Sequence, residues 1–456
     1  MQIIKFFPKF FLIALLFIIF SFSGCKNDDI VQPAEENLLS NSQVPNTEDI
    51  VMYEINLRAF SNEGTFNGIT ARLDSVKALG VSVIWLMPIH PVGVIKSVGQ
   101  LGSPYSVQNY LMVNPEFGTL DDLKNLISKS HNLGISVILD WVANHTAWDN
   151  PWMVNKTWYT QDGNGNIISP AGTGWNDVAD LNYNNSEMRL TMINAMKFWI
   201  KEIGVDGFRC DAADYVPFSF WKQALDTLKN IPNKKLILLA EGSRSDHFSA
   251  GFQLNYAWDY YSMLKNVFRY GDRASYLFIT HQNEYRSITN GYKLRFTTNH
   301  DESAWDNPPV VIFNGKQGAL AASVASIFMG GVPLIYSGQE IGYPTKLPFF
   351  SRSPIDWNIN PDMKIAYKKL FSLYNSTPVL KKGTITDYSD VNIVAFTKSY
   401  QGKECFILVN TRKTAETFTL PSSLQNITWT NLLENSSLKT SIDLILQPYQ
   451  HLILLR

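Results

Sequence analysis

The chain has 456 residues, of which 45% are hydrophobic and 17% charged, a composition typical of a large globular protein with a substantial core. The 39 basic and 40 acidic residues leave a formal net charge of −1. This balance excludes the strongly basic surface that nucleic-acid binding requires.

The first residues carry a targeting signal. Lys5 and Lys9 precede an apolar run at 10–22, which is followed by small residues and Cys25. This order is typical of a secretory signal peptide, and the run is too short for a membrane-spanning helix. The stretch SFSGC resembles the cleavage site of bacterial lipoproteins, which implies removal of residues 1–24 and lipidation of Cys25. An ordinary signal peptide with an incidental cysteine is the alternative.

Residues 25–48 are mostly polar and contain Pro33 and Pro45, which predicts a flexible tether. The stretch KNDDI, directly after Cys25, resembles the acidic export tags of some surface lipoproteins. We therefore expect an outer-membrane lipoprotein that a lipid on Cys25 anchors to the membrane and that faces the cell exterior. The periplasmic face of that membrane is the alternative location.

Three segments share one pattern, in which a helical run ends at a glycine and an apolar strand follows at once. They are VKALGVSVIWLMP, SHNLGISVILDWVANH and KEIGVDGFRCDAAD. Glycine just past a helix end adopts the left-handed conformation at little cost. Because strands that are apolar almost throughout are buried on both faces, the pattern predicts a parallel sheet covered by helices.

Further segments continue this alternation along the chain. Strands are predicted at 51–55, 236–240, 294–298, 332–336 and, as an eighth, 254–258, and helices at 120–132, 186–203, 220–230 and 318–329. Eight strands alternating with helices predict an α/β fold, a (β/α)₈ TIM barrel formed by 49–144 and 186–378. An open doubly wound sheet is the competing architecture, although no glycine-rich phosphate loop follows the first strand.

Two segments depart from the alternation. Residues 145–185 contain four tryptophans and many Gly and Asn; the stretch is long for a loop and predicts a small domain inserted after strand 3. After a helix at 363–375, the stretches NIVAFTKSY, CFILVNT and HLILLR are short strands separated by turn residues. Residues 379–456 are therefore predicted to form a C-terminal antiparallel β-sandwich.

Polar side chains follow the predicted strands at the end where barrel enzymes place their chemistry. Strand 3 leads into Asp140, Asn144 and His145, strand 4 into Arg209 and Asp211, strand 5 into Glu241, and strand 7 into His300 and Asp301. A single such carboxylate is more often structural. Four polar clusters at the same end of four strands instead indicate one active site.

Four of these stretches carry a specific resemblance. DWVANH (140–145), GFRCDAADY (207–215), LLAEGSRSD (238–246) and FTTNHDES (296–303) resemble, in order, the four sequence blocks of the α-amylase family, glycoside hydrolase family 13. VADLN (178–182) resembles an accessory fifth block. The resemblance implies a retaining α-glucan hydrolase that cleaves α-1,4 bonds in starch-like polymers or maltooligosaccharides through a covalent glycosyl-enzyme intermediate.

Carried over residue by residue, the resemblance implies that Asp211 is the nucleophile, Glu241 the general acid/base and Asp301 the carboxylate that holds substrate hydroxyls. Retaining glycosidases need two carboxyl groups roughly 5–5.5 Å apart. Arg209 lies two positions before Asp211 and is expected to keep it ionised, whereas the Asp211 charge should raise the pKa of Glu241. The implied substrate contacts are Tyr105, His145, Arg209 and His300.

The resemblance also implies a calcium site. Asn144 and Asp180 match two ligands of the family, and hard oxygen atoms are what Ca²⁺ prefers. The third ligand of the family is the backbone carbonyl of a His, which Tyr215 replaces here. A carbonyl survives this change, but some members of the family lack the ion, so both outcomes stay open.

The acceptor side departs from the family pattern at position 214, where many α-amylases carry Lys before that His. Asp214 and Tyr215 cannot make the same sugar contacts, so endo action is open, with an exo-acting α-glucosidase or a transglycosylase as alternatives. Glu302, next to Asp301, is interpreted as a surface acid, with a further substrate contact as the alternative. A different class is a non-catalytic surface glycan-binding lipoprotein that would use Trp148, Trp152 and Trp305. In each case we expect a monomeric catalytic unit.

Overall fold

The computed structural model describes residues 44–456. Eight parallel strands close into a barrel in which each strand pairs with its neighbours along the chain, and the first strand pairs with both the second and the last. The strands are β1 (Met52–Ile55), β2 (Val83–Leu86), β3 (Ser136–Val142), β4 (Gly207–Asp211), β5 (Ile237–Ala240), β6 (Leu254–Tyr256), β7 (Tyr292–Arg295) and β8 (Val332–Tyr336). The predicted TIM barrel is confirmed, and the open doubly wound sheet is wrong.

The register of the central strands brings the polar residues to one level. Asp140 of β3 pairs with Arg209 of β4, and Cys210 of β4 pairs with Ala240 of β5. Asp211 and Glu241 each follow that second pair by one residue. Because parallel strands end at the same rim of a barrel, this register places both carboxyl groups side by side.

Long helices cover the barrel. They are Leu120–Asn132, Ser186–Phe198, Phe218–Lys229, Lys316–Phe328 and Pro361–Ser376. The shorter helical segments are Thr47–Asp49, Leu57–Phe60, Phe66–Thr70, Leu73–Ala78, Pro151–Val154, Lys156–Trp158, Trp199–Ile203, Ala213–Tyr215, Asp246–Ala250, Trp258–Lys265, Asn266–Tyr270, Tyr276–Tyr285, His300–Trp305, Pro309–Ile312, Gln339–Ile341, Pro378–Lys382 and Ser422–Leu424. Within residues 44–456, none of the helices has the length and apolar character that crossing a membrane requires.

Two helix ends show how the sequence sets these boundaries. The Thr119 hydroxyl accepts a hydrogen bond from the Asp122 N–H, and the Asp122 carboxylate accepts one from the Thr119 N–H, which begins the helix Leu120–Asn132. The predicted helix 186–203 continues beyond Phe198 as the π-helical turn Trp199–Ile203 and ends at Gly204, whose φ is 87°. Glycine tolerates this left-handed conformation.

The seventh strand ends three residues earlier than the predicted segment 294–298. Asn299 caps a short helix instead, because its side chain accepts a hydrogen bond from the Glu302 N–H. His300 and Asp301 therefore lie in the first turn of the helix His300–Trp305 rather than at a strand end. Their side chains still reach the same rim of the barrel.

The segment after β3 forms a small antiparallel ladder. His145–Ala147 pairs with Val178–Asp180, and His145 is directly opposite Asp180. Aromatic rings pack between this segment and the barrel: the Tyr110 and Trp152 ring centroids are 4.9 Å apart, and those of Trp152 and Trp158 5.6 Å apart. This packing fixes the segment above the barrel rim.

The C-terminal region is antiparallel and two-layered, as predicted. One layer is a sheet of six strands, Thr384–Asp387, Ile393–Tyr400, Lys403–Asn410, Thr428–Asn431, Ser436–Lys439 and His451–Leu455, and the other pairs Glu416–Thr419 with Asp443–Leu446. Phe406 packs against Phe418 between the layers, whereas Phe396 and Ile407 belong to the core that is continuous with the barrel. Buried Lys398 donates to the Phe328 and Leu380 carbonyls at this junction.

Candidate active site

A single guanidinium joins the carboxyl groups of three successive strands. Arg209 Nη1 donates to Asp140 Oδ1 over 2.7 Å and to Asp211 Oδ1 over 3.0 Å. Its Nη2 lies 2.9 Å from Glu241 Oε2. The three acidic side chains therefore surround one fixed positive charge.

The guanidinium itself is fully buried, so its surroundings must compensate for the lost hydration. Its central carbon lies 5.0 Å from the centroid of the Trp85 ring, and its Nε donates to the Tyr256 hydroxyl over 3.3 Å. The Trp85 indole N–H also donates to Asp140 Oδ2 over 3.1 Å. Charge and hydrogen bonds thus hold the Arg209 side chain rigidly in place.

Burial decides the protonation of the carboxyl groups around Arg209. It raises the pKa of Asp211 to about 6, because its effect outweighs that of the Arg209 charge, and the Asp140 charge adds to the rise. Arg209 lowers the pKa of Asp211 in the expected direction, but burial opposes it and has the larger effect. Burial also raises the pKa of Glu241 to about 7, with a smaller rise from the Asp211 charge. Glu241 thus keeps its proton to a higher pH than Asp211.

The Glu241 carboxyl is held by the backbone beside Asp211. The Ala212 N–H donates to Glu241 Oε2 over 2.6 Å, and the Ala213 N–H donates to the Glu241 carbonyl over 3.0 Å. Ala212 has φ 45° and ψ 39°, a left-handed conformation that is costly for a residue other than glycine. This turn directs the N–H of Ala212 towards the carboxyl group.

Tyr105 and His300 form one wall of the site. The Tyr105 hydroxyl donates to Asp140 Oδ2 over 3.1 Å and lies 2.7 Å from His300 Nε2. His300 Nδ1 lies 2.5 Å from Glu54 Oε1, and its Nε2 is 3.4 Å from Asp301 Oδ2. Burial lowers the pKa of His300, but the two carboxylates outweigh it and raise the value to about 9. His300 is therefore charged at neutral pH.

Glu54 was not among the residues expected from the sequence. It lies in β1, is completely buried and contacts His300 directly. Its signal was present, because a carboxylate inside the apolar stretch VMYEI requires a partner in the interior.

His145 is the remaining expected substrate contact. Burial lowers its pKa to about 4, so the ring is neutral at pH 7. Its ring centroid lies 5.5 Å from that of Trp175, and its Nδ1 lies 3.2 Å from Asn144 Nδ2. Both rings face the same cavity.

Several of these side chains line a cavity of about 370 Å³, whereas Arg209, an expected substrate contact, is fully buried and absent from the cavity wall. The lining includes Tyr105, His145, Asp211, Glu241, His300 and Asp301, as expected, and also Val98, Trp175, Asp177, Trp258, Phe349 and Phe350. Trp305 lines the cavity as well, whereas Trp148 and Trp152 are absent from its wall. Trp148 instead carries the Lys96 ammonium 3.5 Å above its ring.

The protein-family model described as "Alpha amylase, catalytic domain" matches residues 21–164 and 173–370 of the chain. The matched range contains the acidic cluster around Arg209. The chain belongs to the α-amylase family. It is accordingly a glycoside hydrolase.

Several relatives support this assignment. "Alpha-amylase 3" of Dictyoglomus thermophilum is 30% identical over 362 residues, which cover 70% of this chain and 69% of that protein. An α-amylase from Lactobacillus plantarum superposes with a TM-score of 0.81 at 27% identity and covers 90% of this chain and 99% of its own. A maltogenic α-amylase from Thermotoga neapolitana also gives a TM-score of 0.81, at 28% identity and with the same two coverages.

Glu302, which follows Asp301 in this α-amylase family member, contacts the neighbouring helix. Its carboxylate accepts a hydrogen bond from the Tyr261 hydroxyl over 2.8 Å and one from Lys265 Nζ over 3.2 Å. Lys265 also contacts Asp306, 3.4 Å away. Glu302 therefore ties the helix His300–Trp305 to the helix Trp258–Lys265, and its side chain is partly exposed.

Two of the three expected calcium ligands of the family are neighbours. Asn144 is buried, and its carbonyl accepts a hydrogen bond from the Leu181 N–H over 3.2 Å, which places it beside Asp180. Burial raises the pKa of Asp180. Tyr215 lies on the short turn Ala213–Tyr215 with an exposed ring. Across residues 44–456, no group of three or more His, Cys, Asp and Glu side chains is arranged to hold a metal ion.

Proposed function

We propose that the protein is a retaining hydrolase of α-1,4-linked glucans that acts on starch-like polymers or maltooligosaccharides. The observation that carries this proposal is the contact of Asp211 and Glu241 with a single guanidinium, Arg209. Contact with the same guanidinium holds the two carboxyl groups close together, and a retaining pair needs a separation of roughly 5–5.5 Å. The α-amylases from D. thermophilum and L. plantarum support the substrate class.

In the first step, Asp211 attacks the anomeric carbon while Glu241 gives its proton to the glycosidic oxygen. The bond between C1 and that oxygen breaks, a C1–carboxylate ester forms with Asp211, and the shortened glucan leaves as an alcohol. In the second step, Glu241 takes a proton from water, the water oxygen attacks C1, and Asp211 leaves as a carboxylate. The higher pKa of Glu241 suits it to the acid role.

The surrounding side chains fit the sugar that undergoes this reaction. Charged His300 and the Asp301 carboxylate lie side by side on the cavity wall, so the carboxylate can accept from sugar hydroxyls and the His300 charge can attract a sugar oxygen. The Tyr105 ring supplies a flat face that suits the apolar face of a sugar. Neutral His145 completes this wall.

The test is a time course of the products from soluble starch, resolved by chain length. A spread of short oligosaccharides at early times is the result expected of an endo-acting enzyme. Glucose or maltose alone would favour an exo-acting α-glucosidase, and longer products upon addition of maltose would favour a transglycosylase. Starch binding without release of reducing ends would overturn hydrolysis and favour a glycan-binding lipoprotein.

We also propose that the protein binds calcium through Asn144, Asp180 and the carbonyl of Tyr215. Two of these donors fit, because the partly buried Asp180 carboxylate lies beside the buried Asn144 amide and Ca²⁺ prefers such oxygen ligands. Bound calcium would supply structural cross-linking between the inserted segment and the barrel. The catalytic steps above do not use it.

Finally, we propose that the protein is an outer-membrane lipoprotein exposed on the cell surface and that its catalytic unit is a monomer. Cys25 lies outside the described residues. The support for a lipid anchor on Cys25 is the sequence stretch SFSGC. A Cys25→Ala variant is expected to leave the membrane fraction. Digestion of intact cells by added protease distinguishes surface exposure from a periplasmic location, and light scattering of the purified chain tests the monomer.

A further inference from the structure

Asp214 occupies the position at which the family resemblance suggests a sugar-binding Lys. Asp214 lines the active-site cavity, and its carboxylate also accepts hydrogen bonds from the backbone that follows β5. Asp214 Oδ2 accepts a hydrogen bond from the Ser243 N–H over 3.2 Å, and its Oδ1 accepts one from the Arg244 N–H over 3.4 Å. These are the second and third N–H groups after Glu241.

Contacts also run in the opposite direction, from the connection after Glu241 to the turn after Asp211. Arg244 Nη1 donates to the Asp214 carbonyl over 2.9 Å and to the Val216 carbonyl over 3.3 Å. The same guanidinium pairs with Asp246 at 2.6 Å. The segments that follow β4 and β5 are therefore tied together by both side chains.

Gly242 permits this close approach. A β-carbon at position 242 would lie 2.3 Å from Asp214 Oδ1, well inside contact distance, and the φ of Gly242 is +143°. The Gly242 carbonyl accepts a hydrogen bond from the Tyr256 N–H over 3.0 Å. Only glycine suits this position, and it is the residue next to Glu241.

A buried histidine completes the surroundings of Asp214. His247 is 1% exposed, and its Nε2 lies 3.3 Å from Asp214 Oδ1. Arg244 and Asp246 also face its ring. A Lys side chain at position 214 would direct a positive charge at two N–H donors and an arginine, so this arrangement requires an acceptor there.

We propose that Asp214 is a positioning residue for acid catalysis, because it fixes the connection that begins at Glu241. This inference rests on the proposed function, in which Glu241 protonates the leaving group. Without the Asp214 carboxylate, the Ser243 and Arg244 N–H groups lose their acceptor, and Gly242 loses its packing partner. The orientation of the Glu241 carboxyl would then vary.

The test uses substrates that lack an acceptor sugar. The higher the pKa of the leaving group of an aryl α-maltoside, the more its cleavage depends on protonation of that group by Glu241. Cleavage of α-maltosyl fluoride needs little such protonation. For Asp214→Ala, kcat/KM is expected to fall about 10- to 100-fold on the poorest aryl leaving group and to stay within about twofold of the wild-type value on the fluoride. Asp214→Asn, which keeps one acceptor oxygen, is expected to recover part of the loss.

Two patterns would overturn the proposal. An equal loss on the fluoride and on every aryl maltoside would indicate a general structural defect. Unchanged values on every aryl maltoside, with a loss only on maltoheptaose assayed in parallel, would indicate a sugar contact instead of positioning. Asp226→Ala, on the exposed side of a helix, is the control for removing a carboxylate, and a wild-type chain inactive on all of these maltosides would overturn the proposed function itself.

Discussion

Tyr105 and His300 form an offset stack, with ring centroids 5.3 Å apart and 21° between the planes. Beside this stack, the Tyr105 hydroxyl contacts His300 Nε2 and donates a hydrogen bond to the Asp140 carboxylate. One tyrosine therefore links the charged wall beside Asp301 to the acidic cluster around Arg209.

Removing only this hydroxyl should separate catalysis from substrate binding. Tyr105→Phe keeps the ring but leaves Asp140 and His300 without a shared partner. We expect kcat on maltoheptaose to fall roughly 10- to 100-fold, the range of one buried hydrogen bond to a charged group, with little change in KM. Tyr260→Phe, which loses a buried hydrogen bond to the Ala325 carbonyl, is the matched control and should lower stability alone.

Loss of the proposed nucleophile should be close to complete. Asp211→Asn retains the size of the side chain but cannot form the ester, so turnover should fall at least about 10³-fold. Initial rates on soluble starch, measured beside Asp226→Asn, provide the check. Near-wild-type turnover in Asp211→Asn would remove Asp211 from this role.

The activity should depend on pH as a narrow bell. Asp211 must be ionised, and burial raises its pKa to about 6, so the rate should increase as the pH rises through that value. Glu241 must be protonated, and burial raises its pKa to about 7, so the rate should decrease above it. Glu241→Gln assayed on α-maltosyl fluoride should lose the alkaline limb only. An alkaline limb that persists in Glu241→Gln would show that another group causes this limb.

Arg209 should contribute strongly to stability as well as to chemistry. Arg209→Leu leaves buried carboxyl groups without their cation, which should cost about 3–5 kcal/mol of unfolding free energy at pH 7. The pKa of each carboxyl would then rise further in the folded state, so the folded chain would bind more protons than the unfolded one. The deficit should therefore shrink as the pH falls from 7 to 5, as urea denaturation at both values would show.

Calcium removal should lower the thermal stability of the protein. A ligand that binds only the folded state adds about 2.7 kcal/mol at one hundred times its Kd, so EGTA should lower Tm by a few degrees. Asp180→Asn should show the lower Tm with and without EGTA, whereas Asp226→Asn should respond like the wild type. An unchanged Tm in the wild type would contradict the calcium site.

The barrel and the clustering of Asp211, Glu241 and Asp301 followed from the sequence, because strand ends of a parallel barrel meet at one rim. The sign of the Asp211 pKa shift did not follow, since it depends on how completely the rim is buried. Phe349, Phe350 and Trp175 gave no local signal, because loop packing alone brings them to the cavity. The helix at His300 was missed because FTTN resembles a strand until Asn299 is recognised as a cap.

The shared core of the barrel and the C-terminal sheet bears on how this protein can be engineered. A shortened chain that stopped at the helix Pro378–Lys382 would leave apolar barrel surface open to water and would remove Lys398 from the carbonyls it binds. The C-terminal strands therefore cannot be replaced by a tag or by an unrelated domain without loss of stability. An engineered version of this protein should therefore keep the barrel and the C-terminal sheet together.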